Sequence, residues 1–412
     1  MAISITLNKH TNMKNIKVYT VTSPLHDEQA VNAVTEAFLK SLSVEYDFKG
    51  ADFTDYGDGG LDLIYVRTGG TEGVFKQLLP LLTQKSNRPF RLLTSGKSNS
   101  LAASMEILSY LRQHGLVGEI IHGAPDFISR RIMLLAKVEE VRKNLEGSLL
   151  GIVGQPSDWL ISSEADPGAV QRKLGMTLVD IPMQELIEII QRLPEMASSE
   201  TCEDEKVRNA LPGAERIYQA LVQLVGKYHL QGFTLRCFDL LSAVHNTGCL
   251  ALAKLNAEGI IAGCEGDVPA MLSMKIAQAV CGVSGFQANP ATIDPEVGEM
   301  LFAHCTIPFN MVQRYELDTH FESGIGVGIR GYMKEGPVTI FKVSGDLTRH
   351  FVAEGQLERC QHKDDLCRTQ MVIRLLDRHQ ADYFLTAPIG NHHIILPGHH
   401  KEVLEAIAQS IK

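Results

Sequence analysis

Short apolar runs alternate with helix-spaced apolar positions over roughly the first third of the chain. IKVYTV (16–21), LDLIYV (61–66), FRLLTS (90–95) and GEII (118–121) read as strands. Val31, Val34, Phe38 and Leu42 recur at helical spacing, as do Leu101, Met105, Leu108 and Leu111. Strands alternating with helices imply a parallel sheet covered on both faces. The pattern then restarts, with SLLGIVG, MTLVDIP, FTLRCFDLL and GIIAGCE as strands and helices over about 183–193, 205–230 and 249–258 between them. Past Asn289 it changes. MLFAHCTI, YELDTHFE, GVGIRGYM, PVTIFKV and RHFVAEG follow one another with glycine-rich turns and no helix until Glu402–Ile411, which predicts an antiparallel sheet or barrel. The expected fold class is α/β, with two parallel-sheet α/β domains, 1–146 and 147–298, followed by a mostly antiparallel, barrel-like β domain over 299–412 that ends in a helix.

Composition narrows the partners. The 412 residues carry 39 basic against 48 acidic side chains, a net charge of -9, which is no electrostatic footprint for nucleic acid or an anionic membrane. A small soluble ligand is expected instead. No stretch approaches the roughly 18 apolar residues of a membrane span, and the opening MAISITLNKH lacks the apolar core of a signal peptide, so a cytoplasmic location is expected. The eight cysteines form no C-x-x-C pair and read as reduced thiols.

Several short motifs invite chemistry. TSGKS (94–98) follows a strand and precedes a helix, but Arg91 stands where a phosphate-binding loop needs glycine, so a plain turn is expected. Arg67–Gly73 lies at a strand's carboxyl end, where open α/β sheets bind ligands, and reads either as a turn or as a polar wall for a substrate. Cys360, His362 and Cys367 fit no standard zinc spacing.

AGCEGDVPAML (262–272) is more informative. Asp267 precedes a helical pattern with Pro269 in its first turn and suits an N-cap. Glu265 has no such structural role, and it stands at a strand's carboxyl end beside a helix N-terminus that stabilises an anion. Further ligands come from Asn289, closing the strand FQAN one strand along the same sheet edge, from His304 in the apolar LFAHC, and from His392 and His393 before IIL. On a strand two successive histidines face opposite ways, so one of His392 and His393 is expected to reach the site. A glutamate, an amide oxygen and imidazoles suit a hard to borderline divalent cation, Mn²⁺, Mg²⁺, Co²⁺ or Zn²⁺. Such an ion polarises a sugar carbonyl while a base moves the adjacent proton.

CEGDVPAMLSMKIAQAVCG, FQAN, HCTIP and NHHIILPG resemble, in order and spacing, the L-fucose isomerase and L-arabinose isomerase superfamily. The resemblance implies a Mn²⁺-class divalent metal cofactor, a sugar substrate, a homo-oligomer and an aldose–ketose isomerisation through an enediol. It places Glu265 on the family's metal-binding acid/base glutamate and His304 on a ligand histidine. One of His392 and His393 falls on the near-terminal ligand, and Asn289 stands where fucose isomerases have a catalytic, metal-binding aspartate. An amide cannot carry a proton at neutral pH. Either Asp267 or a substrate-bound water then fills the place of the second catalytic group, and the alternatives are a sugar-binding or regulatory homologue without turnover, or a metal-assisted hydrolase or lyase.

Overall fold

The apolar run Ile16–Val21 forms β1, a central strand of a five-stranded parallel sheet. The computed structural model describes residues 16–194 and 196–411, and the chain divides into two compact units between Lys143 and Asn144. In the first unit β1 is followed by α1 (Glu28–Lys40), β2 (Asp47–Gly50), β3 (Leu61–Val66), α2 (Glu72–Lys85), β4 (Phe90–Leu93), α3 (Ser100–Gln113), β5 (Gly118–Ile121) and α4 (Pro125–Leu145). The sheet order is β2-β1-β3-β4-β5. β2, with the sequence DFKG, has no apolar run to announce it, because it is an edge strand with two of its residues exposed.

One carboxylate in this sheet works against the fold. Asp62 on β3 accepts a hydrogen bond from the Gly57 N–H at 2.8 Å through Oδ2, while its buried Oδ1 has no partner. Burial pushes its carboxyl up from 3.8 to about 6. A carboxyl raised in the folded state adds stability below its unfolded pKa, and that contribution is lost as pH rises through the folded value. Asp62→Asn should therefore stabilise the protein by roughly 1–2 kcal/mol near neutral pH and by nothing at about pH 3.5, as read by chemical denaturation at both pH values.

The second unit opens with β6 (Leu149–Val153), α5 (Pro167–Leu174), β7 (Thr177–Ile181), α6 (Met183–Arg192), α7 (Glu205–Tyr228), β8 (Gly232–Leu235), α8 (Asp239–Val244), α9 (Cys249–Ala257), β9 (Ile261–Cys264) and α10 (Val268–Cys281). The strands form a parallel sheet in the order β7-β6-β8-β9. The expected strand FTLRCFDLL is only half strand. β8 ends at Leu235, in line with Val153 and Cys264 on its neighbours, and its second half folds into α8.

The β-rich part follows: β10 (Phe286–Asp294), β11 (Glu299–His304), β12 (Arg314–Asp318), β13 (Gly328–Tyr332), β14 (Gly336–Val343), β15 (His350–Cys360), β16 (Thr369–Leu375), α11 (Ala381–Thr386), β17 (His393–Pro397) and α12 (Lys401–Ser410). Six of these strands close a barrel in the order β10-β11-β16-β15-β14-β17, while β12 and β13 form a separate two-stranded ribbon. Phe286, Ala288, Met300, Phe302, Ile340, Met371, Ile373 and Ile395 belong to one buried cluster, at the alternate positions a filled small barrel needs.

The barrel starts earlier than the expected domain boundary at 298/299. The strand containing FQAN pairs with β11 and β17, not with the parallel sheet. It still touches that sheet through one side chain. Gln287 Oε1 accepts from the Cys264 N–H at 2.9 Å, and its Nε2 donates to the Cys264 carbonyl at 3.3 Å. The amide thus occupies the open edge of β9 as a neighbouring strand would and fixes the barrel against the residue before Glu265. Among the described residues no helix is long and apolar enough to cross a membrane.

Candidate metal centre

The chain leaves β9 through two consecutive left-handed residues, Glu265 (φ +62°) and Gly266 (φ +72°). Gly266 is required there, since a Cβ would lie 2.6 Å from the Gln155 carbonyl oxygen. Glu265 is the costlier case: a non-glycine residue with positive φ is uncommon, and such strain collects at functional sites. The turn delivers Asp267 as the N-cap of α10, its Oδ1 accepting the Ala270 N–H at 2.7 Å, and leaves the Glu265 carboxylate buried beside the barrel.

Two imidazoles meet it there. His304, the last residue of β11, brings Nε2 to 3.4 Å from Glu265 Oε1, and His392, just before β17, brings Nε2 to 3.3 Å from the same oxygen. In both rings the other nitrogen is held: His304 Nδ1 by Thr306 Oγ1 at 3.0 Å, His392 Nδ1 by Asp267 Oδ2 at 2.8 Å. Such outer partners fix the ring orientation and turn Nε2 into the site, as they do for metal-bound histidines. The His392 Nε2 approach is not aligned as a hydrogen bond, so that buried atom has no hydrogen-bond partner.

The charges agree with the geometry. Burial alone would raise the Glu265 carboxyl, but His392 and His304 outweigh it and hold the carboxyl well below the usual range. Burial likewise opposes a proton on His392, yet Glu265 and Asp267 raise it to about 9. His304 is lowered by burial. A pocket that holds a proton on a fully buried imidazole is one that attracts a cation.

Asn289 lies between the two histidines. Its register partner is Ala303, next to His304, while Ala288 pairs with His393, next to His392. Its buried Oδ1 has no hydrogen-bond partner. The donor set fits a divalent ion. Ligands at about 2.1 Å around such an ion stand roughly 3.0–3.4 Å apart, and Glu265, His304 and His392 form the one group of three or more His, Cys, Asp or Glu able to hold a metal among the described residues. Asn289 Oδ1 and His392 Nε2 are buried polar atoms without a hydrogen-bond partner.

The other sequence candidates lie outside this cluster. His393 Nε2 meets the Tyr383 hydroxyl at 3.0 Å, its ring packs against Phe351 and Phe384, and burial pushes it down to about 3. Asp267 is fully buried, and besides Ala270 and His392 it faces the buried ammonium of Lys342 at 3.4 Å. Its second oxygen holds the His392 ring. Cys360 Sγ contacts the Met333 carbonyl, and His362 pairs with Asp364. In the first unit, Thr94–Ser98 is the turn into α3, and the Arg67 guanidinium is bonded to Thr22, Asn32 and Thr35.

Four residues that the sequence pattern does not single out surround the site. Trp159 donates its indole N–H to Glu265 Oε2 at 2.6 Å. Its ring meets Phe238 edge-on at 4.8 Å, and Phe238 meets His320 at 5.6 Å, so aromatic rings line one flank of the glutamate. Lys342, a lone charge in PVTIFKV, was visible as an anomaly in an apolar strand but not as a partner of Asp267.

No protein-family model matches the chain. Among curated proteins it is similar to a sulfoquinovose isomerase of Priestia megaterium, 25% identical over 264 residues that cover 60% of this chain and 59% of the relative. Sulfoquinovose isomerases of Alkalicoccus urumqiensis (22% over 261 residues, 60% of this chain and 59% of the relative) and of Clostridium sp. (25% over 237 residues, 54% and 51%) are also similar. The chain thus spans between about half and three fifths of the length of these relatives.

Proposed function

We propose that this chain is a divalent-metal-dependent sugar isomerase that interconverts an aldose and a ketose through an enediol intermediate. The observation that carries the reading is the buried Glu265–His304–His392 cluster with both imidazoles held at Nδ1. The name shared by the relatives supports the sugar-isomerase part of the reading. Glu265, His304, His392 and the Asn289 amide oxygen would hold the ion, which when bound supplies a Lewis acid for the sugar carbonyl and its neighbouring hydroxyl.

The remaining steps belong to the chain. Glu265 is the group to take the proton from the carbon beside the carbonyl and return it to the former carbonyl carbon, while a substrate-bound water would carry the hydroxyl proton from one oxygen to the other. Asp267 keeps the His392 ring in place. The aromatic flank of Trp159 and Phe238 offers an apolar face to the sugar's C–H groups.

Asn289 favours a second reading, a sugar-binding homologue without turnover, because an amide cannot share the proton transfer with Glu265. Chelation separates the two. Protein stripped with EDTA should lose aldose–ketose turnover and regain it with Mn²⁺, in a screen headed by sulfoquinovose, the sugar in the relatives' name. Restoring Mn²⁺ to about 100 times its Kd should also stabilise the fold by ~2.7 kcal/mol. Sugar binding without turnover in the metal-loaded protein supports the binder, and turnover untouched by chelation sinks the metal reading.

A further inference from the structure

The loop after β6 grips the strained Glu265 turn at several points. Ser157 N–H donates to the Glu265 carbonyl at 2.9 Å, and Gln155 lies against Gly266 so closely that no Cβ fits between them. Arg236, at the end of β8, ties the loop down, donating to the Pro156 carbonyl at 2.6 Å and pairing with Asp158 at 3.1 Å. At the loop's tip stands Trp159, the single tryptophan of the chain. Its side chain does not behave as core. The residue is 52% exposed, yet its one polar atom is committed to a buried carboxylate oxygen at 2.6 Å. Burial of apolar surface does not explain that placement.

We propose that Trp159 is a positioning residue that fixes Glu265 as a one-oxygen metal ligand, a proposal that rests on the metal reading above. The terminal torsion of a glutamate is broad and nearly two-fold. A free carboxylate facing two imidazoles would therefore rotate, or offer both oxygens to the ion. The charge-assisted bond from the indole N–H removes that freedom. It holds Oε2 on the loop side and leaves Oε1, the oxygen within 3.4 Å of both His304 and His392, to face the site. The Phe238 ring sets the indole plane from the other side.

The test compares Mn²⁺ binding by full-length wild type and Trp159→Phe, read from the electron paramagnetic resonance of free Mn²⁺. Phenylalanine keeps a ring against Phe238 and loses the N–H. Outer-shell partners of metal ligands are worth about 10–100-fold in affinity, and a loss of that size is expected, with the thermal midpoint of the metal-free protein unchanged. In the wild type, Mn²⁺ should change the fluorescence of the single tryptophan with the same midpoint, a signature that a merely structural tryptophan would not give. Wild-type affinity in Trp159→Phe overturns the proposal while leaving the metal reading standing. Failure of the wild type to bind Mn²⁺ overturns both. Should Trp159→Phe prove unstable, benzothienylalanine at position 159, with the shape of tryptophan but no N–H, repeats the comparison on the same criteria.

Discussion

Glu265→Gln is expected to cut aldose–ketose turnover by a factor on the order of 10²–10⁴, the usual worth of a positioned acid–base group, while the protein stays folded. The substitution keeps the side chain's size, and its amide oxygen can still accept the Trp159 N–H. What disappears is the charge that faces two imidazoles, and with it the one carboxylate that, among the described residues, is grouped with His304 and His392. An amide supplies neither. The folded state gives up little in exchange, since a buried carboxylate is expensive to desolvate and is tolerated here because His392 and His304 hold it ionised. Glu265→Gly makes the contrast sharper. At φ +62° glycine relieves backbone strain of about 1–3 kcal/mol, so the metal-free protein should be at least as stable as the wild type, with turnover gone. Initial rates at saturating Mn²⁺, with circular dichroism melts of both variants, check the pair. Retained turnover in Glu265→Gln would remove Glu265 from the chemistry.

That residue could be singled out in the sequence because its signal is local. An apolar strand, two acidic residues one apart and a proline-initiated helix place Glu265 at a strand end with no capping duty, and β9 and α10 stand where that pattern puts them. Asp267 as a cap was legible on the same grounds. The choice between His392 and His393 was not. Alternation says only that the two side chains part, and which one reaches Glu265 depends on how β17 closes the barrel between β14 and β10, a non-local pairing. Asn289 reads as the end of a strand in the parallel sheet, but β10 runs on to Asp294 and belongs to the barrel. FQAN looks like another buried parallel strand until its partners are known, and Gln287, the residue that joins the two sheets, carries no periodic signal. Trp159 was out of reach for the same reason. It lies in a loop 106 residues away from the glutamate it holds, and nothing in a loop's composition specifies what it will touch.

Asp267→Ala should be the most destabilising single change at the site, and its size follows from three losses. The N-cap bond to Ala270 is worth about 1 kcal/mol. His392 Nδ1 loses its acceptor in a fully buried position. Lys342, 1% exposed, loses its carboxylate, and removing one partner of a buried pair typically costs about 3–5 kcal/mol. Part of that last cost is escaped, because burial already lowers the Lys342 ammonium and the lysine can shed its proton once unpaired. A total of roughly 3–5 kcal/mol is expected, a large share of the 5–15 kcal/mol that holds a typical domain. The pH dependence gives an independent reading. Burial pushes the Asp267 carboxyl up, but Lys342 and His392 outweigh it and hold it at about 2. A depressed carboxyl adds stability above its unfolded pKa of about 3.8 that is lost as pH falls through 2. The wild type should lose this contribution over that window and Asp267→Ala should have none to lose. Asp267→Asn retains a cap and an oxygen for His392 but not the charge for Lys342, and should fall between the two. Adding Lys342→Met to Asp267→Ala should recover part of the loss, since an apolar side chain replaces an orphaned buried cation. Urea denaturation of these four proteins and of Lys342→Met closes the cycle and measures the coupling. Asp267→Ala within about 1 kcal/mol of wild type would mean that the Lys342 pair stabilises nothing, and Asp267→Asn with intact stability and Mn²⁺ affinity but no turnover would return Asp267 to the chemistry.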